Sequence, residues 1–253
     1  MKVLISGCSF TQWPDAPGGR NICWPKYLGD LDSNLEITTV AEAAAGNQYI
    51  CDSIIREVCS KPAGYYDHVL VMWSGVSRLD YLTSLEDPAW DKLFDSYGFY
   101  RRLPDNNLGY IFSGGQYGTW FANNVAKTMF KEMYKVSSER SLAHINLMEM
   151  VKLQGFLRSK NIPYHFMSYV NYWNRQDQVG RNGDFGVYKY PDLDFLINDL
   201  DFDHWIFRNE NKDGIFELAK EINSLEKDQF HPASEANRIW AELVYKRVSE
   251  SRT

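Results

Sequence analysis

Short apolar runs alternate with stretches of helical periodicity along the chain. Apolar residues at Ile50, Ile54, Ile55 and Val58 recur at the spacing of a helix that follows an apolar run. Strand, turn and helix in this repeated order predict a parallel sheet with helices on both faces. Four runs rich in aliphatic and β-branched residues predict the strands: 2–6, 36–41, 67–73 and 161–168.

Two stretches interrupt this alternation. From about residue 84 to 118, and again from 171 to 203, glycine, aspartate and aromatic residues replace the periodic pattern. We interpret both as aromatic-rich insertions on a single domain that spans residues 1–253. The second insertion follows a predicted strand directly, where loops of open α/β sheets contact ligands. Helices are predicted over 24–31, 48–61, 120–135, 138–160, 213–225 and 233–249.

Composition narrows the classes of partner. The chain has 253 residues with 44% apolar content, which is sufficient to fill a core, and a net charge of −6 without a basic block. A nucleic-acid partner is therefore not expected. No run approaches the ~20 apolar residues of a membrane span, and the first residues lack the pattern of a signal peptide. We expect a soluble protein, in the cytoplasm or in a viral particle, with no membrane partner.

Metal and disulfide chemistry are not indicated either. The four cysteines, at positions 8, 23, 51 and 59, form no C-x-x-C pair, and reduced thiols are the simpler interpretation. The aspartates between 192 and 203 do not follow the spacing of a calcium-binding loop. Aromatic residues make up 15% of the chain, more than a core normally requires, so some rings are expected to line a surface or cleft. No metal site is predicted.

Two distant stretches carry the residue types of nucleophilic catalysis. The first predicted strand runs into Gly7-Cys-Ser-Phe-Thr11, and Asp228-Gln-Phe-His-Pro232 lies near the far end. A serine hydroxyl needs a base to take its proton and a third group to fix that base. Ser9 is thus the candidate nucleophile, His231 the base and Asp228 the group that orients it. In the alternatives, Ser9 is an ordinary turn residue, His231 caps the last helix, or Cys8 replaces Ser9 as nucleophile.

Four motifs together resemble the SGNH, or GDSL-type, hydrolases. Gly7-Cys-Ser-Phe-Thr11 is similar to their first block, with Cys8 in place of aspartate, and Asp228-Gln-Phe-His-Pro232 matches their last. Val40-Ala-Glu-Ala-Ala-Ala-Gly-Asn47 resembles the second block, and Trp73-Ser-Gly-Val-Ser-Arg78 stands where the third is expected. The resemblance implies a three-layer α/β/α, flavodoxin-like fold and a serine esterase that needs no cofactor.

The same resemblance assigns the oxyanion site. The glycine of the second block corresponds to Gly46, whose amide would bind the oxyanion together with that of Ser9. The third block of the family carries an asparagine donor, whereas this chain has Ser77 there. Ser77, Arg78 or the neighbouring Asn47 could replace it, although Ser77 and Arg78 could equally begin a helix over 77–82. Loss of one such donor costs about 2.7–4 kcal/mol of barrier where it has been measured.

The expected substrate is a small-molecule or polysaccharide ester, with an O-acetyl group on carbohydrate favoured. Candidate substrate-binding residues are Trp73, Arg78, Tyr172 and Trp173, although the aromatic residues of the second insertion could instead form a satellite core. The alternative function is a binding or structural module with weakened catalysis, such as a component of a viral particle or a polysaccharide-binding subunit. The sequence does not indicate an oligomeric state.

Overall fold

The computed structural model describes residues 1–12, 23–84, 86, 100–103, 108–114, 124–173, 186–228 and 230–250. Its strands are β1 (Lys2–Ser6), β2 (Glu36–Thr39), β3 (His68–Trp73), β4 (Asp80–Ser84), β5 (Tyr100–Arg102), β6 (Leu108–Phe112) and β7 (Tyr164–Ser168). Its helices are α1 (Trp24–Leu31), α2 (Asn47–Cys59), α3 (Asn124–Val136), α4 (Glu139–Ser159), α5 (Asp194–Asp199), α6 (Ile215–Glu221) and α7 (Ser234–Glu250). No described helix is long and apolar enough to cross a bilayer.

The central sheet is parallel, in the strand order β2-β1-β3-β7. Strand β3 is buried along its whole length, as expected of a strand covered on both faces. Beyond β7, Trp205 forms a parallel bridge with Phe166 and continues the sheet edge. The predicted α/β fold with a flavodoxin-like parallel sheet is confirmed.

Side chains that alternate along the strands anchor helices on opposite faces. On one face the Ser6 hydroxyl lies 2.9 Å from the Ser53 hydroxyl of α2. On the other face the indole of Trp240, on α7, donates to the Met167 sulfur at 3.4 Å. Helices α2 and α4 pack together, as do α1 and α7. These pairs form the two outer layers of the α/β/α arrangement.

Strands β5 and β6 of the first insertion form a small antiparallel sheet with β4, which precedes the insertion, in the order β4-β6-β5. The helix considered over 77–82 is therefore wrong, because Asp80–Ser84 is strand β4 and Asp80 is in register with Phe112. Along β4, Asp80 and Thr83 are buried although they point to opposite faces of the strand, whereas Tyr81 and Ser84 are exposed. Residues 85, 87–99, 104–107 and 115–123 lie outside the described part, as does 174–185 of the second insertion.

All four parallel strands point in the same direction, so the segments that follow them meet at one edge. The residue after each strand end belongs to this carboxyl edge: Gly7, Val40, Ser74 and Tyr169. The turn of Ser9 and the first turn of α2 both lie there, since the Glu42 amide donates to the Gly7 carbonyl at 3.1 Å. This edge holds the candidate site.

Candidate active site

Ser9 lies in a tight turn at the end of the central strand β1. The amides of Thr11 and Gln12 both donate to the Cys8 carbonyl, at 2.8 and 3.1 Å. Gly7 permits this turn, because a Cβ at this position would lie 2.3 Å from the Thr11 hydroxyl oxygen. The turn brings the half-buried Ser9 side chain out at the carboxyl edge, while Cys8 is fully buried in the core. That burial does not support Cys8 as the nucleophile.

The structure brings Ser9, His231 and Asp228 together. The Ser9 hydroxyl is 2.8 Å from Nε2 of His231, and Nδ1 of His231 is 2.5 Å from Oδ2 of Asp228. Since a carboxylate only accepts, Nδ1 carries the proton and Nε2 accepts from the serine hydroxyl. The predicted hydrogen bonds are thus present, and their geometry is that of a nucleophile, a base and an orienting acid.

The loop that carries His231 is organised by Asp228. Its Oδ1 accepts the amides of Phe230 and His231, at 2.8 and 2.9 Å, while Oδ2 faces the ring. Partial burial alone would raise the pKa of Asp228, but the hydrogen bonds from the His231 ring and these two amides outweigh it and lower the pKa. Asp228 therefore remains ionised, as the group that orients an imidazole must.

Aromatic rings hold His231 from two sides. The Phe10 ring lies 5.1 Å from the His231 ring, and Phe230 contacts it edge to face at 5.2 Å. Behind them, Tyr169 packs on Phe10 with ring centroids 4.5 Å apart. Only about a fifth of the His231 side chain is exposed, at 21%, so the ring has little freedom to turn away from Ser9.

A cleft of about 310 Å³ opens beside Ser9. Burial, and next the nearby Cys8 thiol, raise the pKa of the Cys23 thiol in this cleft to about 12, so Cys23 stays protonated. The lining combines an apolar wall with a charged rim: Ser9, Phe10, Cys23, Glu226, Lys227, Asp228, His231, Pro232 and Asn237. The volume is at the lower end of the range of small-molecule binding pockets.

The amide of Gly46 has a different partner from the one expected. It donates to Oδ1 of Asp80 at 2.8 Å, and the Tyr49 amide donates to Oδ2 of the same carboxylate, also at 2.8 Å. Gly46 has a single N–H, and here it is already used. The prediction that this amide faces an oxyanion therefore does not agree with the structure, which gives Gly46 a role at the start of α2.

The Asn47 and Ser77 side chains are also directed into the protein. Asn47 accepts from the Ser74 amide at 2.7 Å and donates to the Ser74 carbonyl at 3.1 Å, which ties α2 to the end of β3. Ser77 is fully buried, and its carbonyl accepts from the Tyr134 hydroxyl at 3.0 Å. Within the described residues the Ser9 amide makes no hydrogen bond, so it is available as an oxyanion donor.

The four candidate substrate-binding residues lie in the interior. Trp73, Arg78, Tyr172 and Trp173 are 0%, 4%, 1% and 8% exposed. Arg78 donates to the Ala45 carbonyl at 3.1 Å, and the three aromatic residues belong to the hydrophobic core. Trp173 and Trp205 pack edge to face with centroids 5.0 Å apart. The rings therefore pack in the interior, as in the alternative to a substrate platform, but they belong to the same core as the central strands rather than to a separate satellite core.

Sequence reasoning missed Asp80 and the aromatic support of His231. Asp80 follows a segment that has the composition of a helix cap, and no local pattern indicates that its carboxylate reaches α2. Phe10 and Phe230 are each adjacent in sequence to a predicted site residue, and this position could have indicated that their rings pack beside the site. The contact between Asp80 and Gly46 spans 34 positions and depends on the sheet topology.

Comparison with known proteins gives structural matches alone. No protein-family model matches the sequence, and no curated protein matches it either. Among solved structures, a lipolytic protein of the G-D-S-L family from Veillonella parvula DSM 2008 is 10% identical, with 97% of this chain and 96% of that chain covered and a TM-score of 0.47. The psychrotrophic esterase EstA from Pseudoalteromonas sp. is 12% identical, with 98% and 97% covered and a TM-score of 0.48.

An acetyl xylan esterase, AlAXEase, is 13% identical, with 98% of this chain and 100% of that chain covered and a TM-score of 0.48. Some of the matched structures, the Veillonella parvula protein among them, are named as members of the G-D-S-L family, which the four sequence motifs resemble. Identities this low carry no information about substrate or about the role of a residue. Those properties depend on the geometry of the site.

Proposed function

We propose that the protein is a serine esterase of the SGNH type. The observation that carries this proposal is the continuous chain of hydrogen bonds from Ser9 through His231 to Asp228, with its two ring contacts of 2.8 and 2.5 Å. An ordinary turn serine has no need of a histidine whose ring is oriented by a hydrogen-bonded carboxylate. A histidine that merely capped α7 would not direct Nε2 at a hydroxyl 222 positions away.

In the proposed reaction, the Ser9 oxygen attacks the ester carbonyl while His231 Nε2 takes the hydroxyl proton. The tetrahedral intermediate collapses, the bond to the alcohol breaks, and His231 returns the proton to the departing alcohol oxygen. Water then attacks the acyl-enzyme, with His231 again as base, and releases the acid and free Ser9. Asp228 stabilises the imidazolium in both halves. This reaction requires no cofactor.

Backbone amides are the best-placed donors for the oxyanion. The Ser9 amide is one, since it makes no hydrogen bond among the described residues. The Asn47 amide is the second, because it lies in the first turn of α2, where an N–H has no helical acceptor, and it too is unused in the described part of the chain. A helix N-terminus also favours negative charge.

The proposed substrate is an ester with a small acyl group, and O-acetylated carbohydrate is the class to test first. The cleft of about 310 Å³ beside Ser9 accommodates an acetyl group with room for part of the alcohol. The motif resemblance implies the same substrate class. The buried aromatic residues do not contribute to this choice.

Hydrolysis of a chromogenic acetyl ester by the wild-type protein and by Ser9→Ala tests the proposal. We expect Ser9→Ala to lose activity by at least about 10³-fold, and a fluorophosphonate probe to label Ser9 in the wild-type protein only. Ser159→Ala is the matched control, because Ser159 is an exposed serine at the end of α4. Equal rates for wild type and Ser9→Ala, together with absence of labelling, would reject the esterase and favour the binding-module alternative.

That alternative has one observation in its favour. The Gly46 amide is occupied, and Ser77 is buried in place of the asparagine of the family. If the fold serves only to bind, Ser9→Ala should bind acetylated polysaccharide as tightly as the wild-type protein and neither should release acetate. Acetate release from acetylated xylan, measured for both proteins, separates the two functions.

A further inference from the structure

Asp80 is a buried carboxylate at the start of β4 that the proposed reaction does not use. It is 7% exposed, and its two oxygens accept the amides of Gly46 and Tyr49, both at 2.8 Å. Gly46 is the N-cap residue of α2 and has no side chain with which to cap the helix. Asp80 thus supplies from another element the acceptor that an N-cap serine or aspartate normally provides.

The close approach of Asp80 requires glycine at position 46. A Cβ there would lie 2.9 Å from both carboxylate oxygens. This distance explains the glycine of the second motif by a contact with Asp80 rather than with substrate. The start of α2 is therefore built around this carboxylate.

Two further contacts hold the same turn. Arg78 donates to the Ala45 carbonyl at 3.1 Å, and the Asn47 side chain is paired with the backbone of Ser74. Three residues of segment 74–80, namely Ser74, Arg78 and Asp80, thus hold residues 45–49 by hydrogen bonds. The segment just before this turn is also hydrogen-bonded to the turn that carries Ser9, because the Glu42 amide donates to the Gly7 carbonyl at 3.1 Å.

We propose that Asp80 is a positioning residue for the Ser9 centre: its carboxylate fixes the first turn of α2, and with it the Asn47 amide, at the place where the oxyanion forms. The inference rests on the proposed esterase function. Misplacement of a catalytic group by about 1 Å costs on the order of 10²-fold in rate. A weakened contact at Asp80 should therefore lower kcat more than it raises KM.

The protonation state of Asp80 gives an independent readout. Burial raises the pKa of Asp80 to about 6, against the opposing effects of the Tyr49 and Gly46 amides and of Arg78. The other titratable groups that face it are Glu149 of α4 and three tyrosines, Tyr49 of α2, Tyr110 of β6 and Tyr134 of α3. A protonated carboxyl keeps one good acceptor oxygen, so one of the two amide contacts is lost in acid.

The test compares Asp80→Asn with Asp67→Asn. Asp67 is the matched control because its carboxylate also accepts a backbone amide, that of Lys2 at 2.7 Å, but at the amino edge of the sheet. We expect Asp80→Asn to lower kcat by about 10- to 100-fold with KM changed less than about twofold, and Asp67→Asn to leave kcat unchanged. Folding of each variant is checked by circular dichroism.

The pH profile of kcat/KM tests the inference in the wild-type protein itself. As the pH falls through about 6, protonation of Asp80 should lower kcat/KM of the wild-type protein beyond the decrease that Asp80→Asn shows over the same interval, so the ratio of the wild-type value to the Asp80→Asn value should decrease in acid. A ratio that stays constant with pH, or equal kcat losses in Asp80→Asn and Asp67→Asn, overturns the positioning role. Loss of activity in Ser9→Ala shows that the esterase function survives such a result, whereas an active Ser9→Ala rejects both.

Discussion

The Ser9 hydroxyl and the His231 ring lie 2.8 Å apart, although 222 positions separate them in the chain. The sheet order explains this contact, because β1 is a central strand and its carboxyl end faces the loop that precedes α7. Asn237 of α7 also accepts the Trp24 amide at 2.9 Å, which fixes α7 against the start of α1. The relationship therefore depends on tertiary packing that other parts of the core maintain.

Substitution of Asp228 by asparagine should reverse the tautomer of His231. The new amide would donate to Nδ1, which leaves the proton on Nε2 and removes the base from the Ser9 hydroxyl. We expect kcat to fall by about 10³- to 10⁴-fold, the size of effect described for the corresponding change in a serine protease triad. Steady-state hydrolysis of the acetyl ester measures it, with Asp67→Asn as the control. A loss under tenfold would contradict the orienting role.

The ionised form of Asp228 should also stabilise the fold, in a defined pH range. Its pKa is lowered by the hydrogen bonds that outweigh its partial burial. The folded state therefore binds the proton more weakly than the unfolded state, and stability is present above the ordinary aspartate pKa of about 4. This stability is lost as the pH falls through the lower folded value. Urea denaturation between pH 7 and 3 should show a smaller acid loss in Asp228→Asn than in the wild-type protein.

Gly46→Ala tests the close contact with Asp80. The added Cβ would lie 2.9 Å from both oxygens of Asp80, so the first turn of α2 or β4 must shift. We expect a loss of about 1–3 kcal/mol in the free energy of unfolding, as for an overpacked core, and a fall in kcat. Gly155→Ala is the matched control, because no atom lies within 4 Å of a Cβ built there on α4. It should stabilise the protein by about 0.5–1 kcal/mol, and similar losses in both would contradict the packing argument.

The parallel sheet could be predicted from the sequence because the signals for each strand and the helix that follows it lie close together in the chain. A buried apolar run such as β3 and the periodicity of α2 both lie within a short window, and their order determines the sheet. The contacts among Ser9, His231 and Asp228 were predicted because few residue types can fill the proposed roles of nucleophile, base and orienting acid. Asp80 was not found, because its partners at Gly46 and Tyr49 are backbone amides that leave no mark on the sequence.

The sequence also could not show that the four candidate substrate-binding residues are buried. Composition indicated an excess of aromatic residues but not the direction in which each ring points. Trp73 ends a strand with both faces covered, and its ring packs edge to face on Phe166 at 5.2 Å. Position at the carboxyl edge of a sheet was therefore insufficient to predict exposure to substrate.

Asn47→Ala should affect both stability and activity. The change leaves the amide and carbonyl of Ser74, now paired with the Asn47 side chain at 2.7 and 3.1 Å, without partners in a buried position. Such a loss costs about 1–3 kcal/mol. Because the amide of Asn47 is the proposed second oxyanion donor, its displacement should lower kcat as well. Thermal denaturation and acetyl-ester hydrolysis measure the two effects, and Gln48→Ala, at the exposed neighbouring position, is the control.

A histidine pair at the opposite edge of the sheet should control stability in acid. Nε2 of His68 and Nδ1 of His165 are 2.9 Å apart, and the rings are stacked. Burial lowers the pKa of His165 to about 4, with further lowering by Arg247 and His204. The unfolded state, with an ordinary histidine pKa of about 6.5, therefore binds this proton more readily. Stability is full above that value and decreases as the pH falls from it towards the folded pKa.

The linkage relation gives a loss of about 2 kcal/mol in the free energy of unfolding between pH 7.5 and 5 from this single group. His165→Gln removes the titrating ring, so the variant should lose less stability over that interval than the wild-type protein. His144→Gln, at an exposed position of α4, is the control and should follow the wild type. Parallel curves for wild type and His165→Gln in urea denaturation would show that the pair does not set the acid sensitivity. Because His165 is at the amino edge, acetyl-ester hydrolysis at pH 7.5 should be unchanged in both variants.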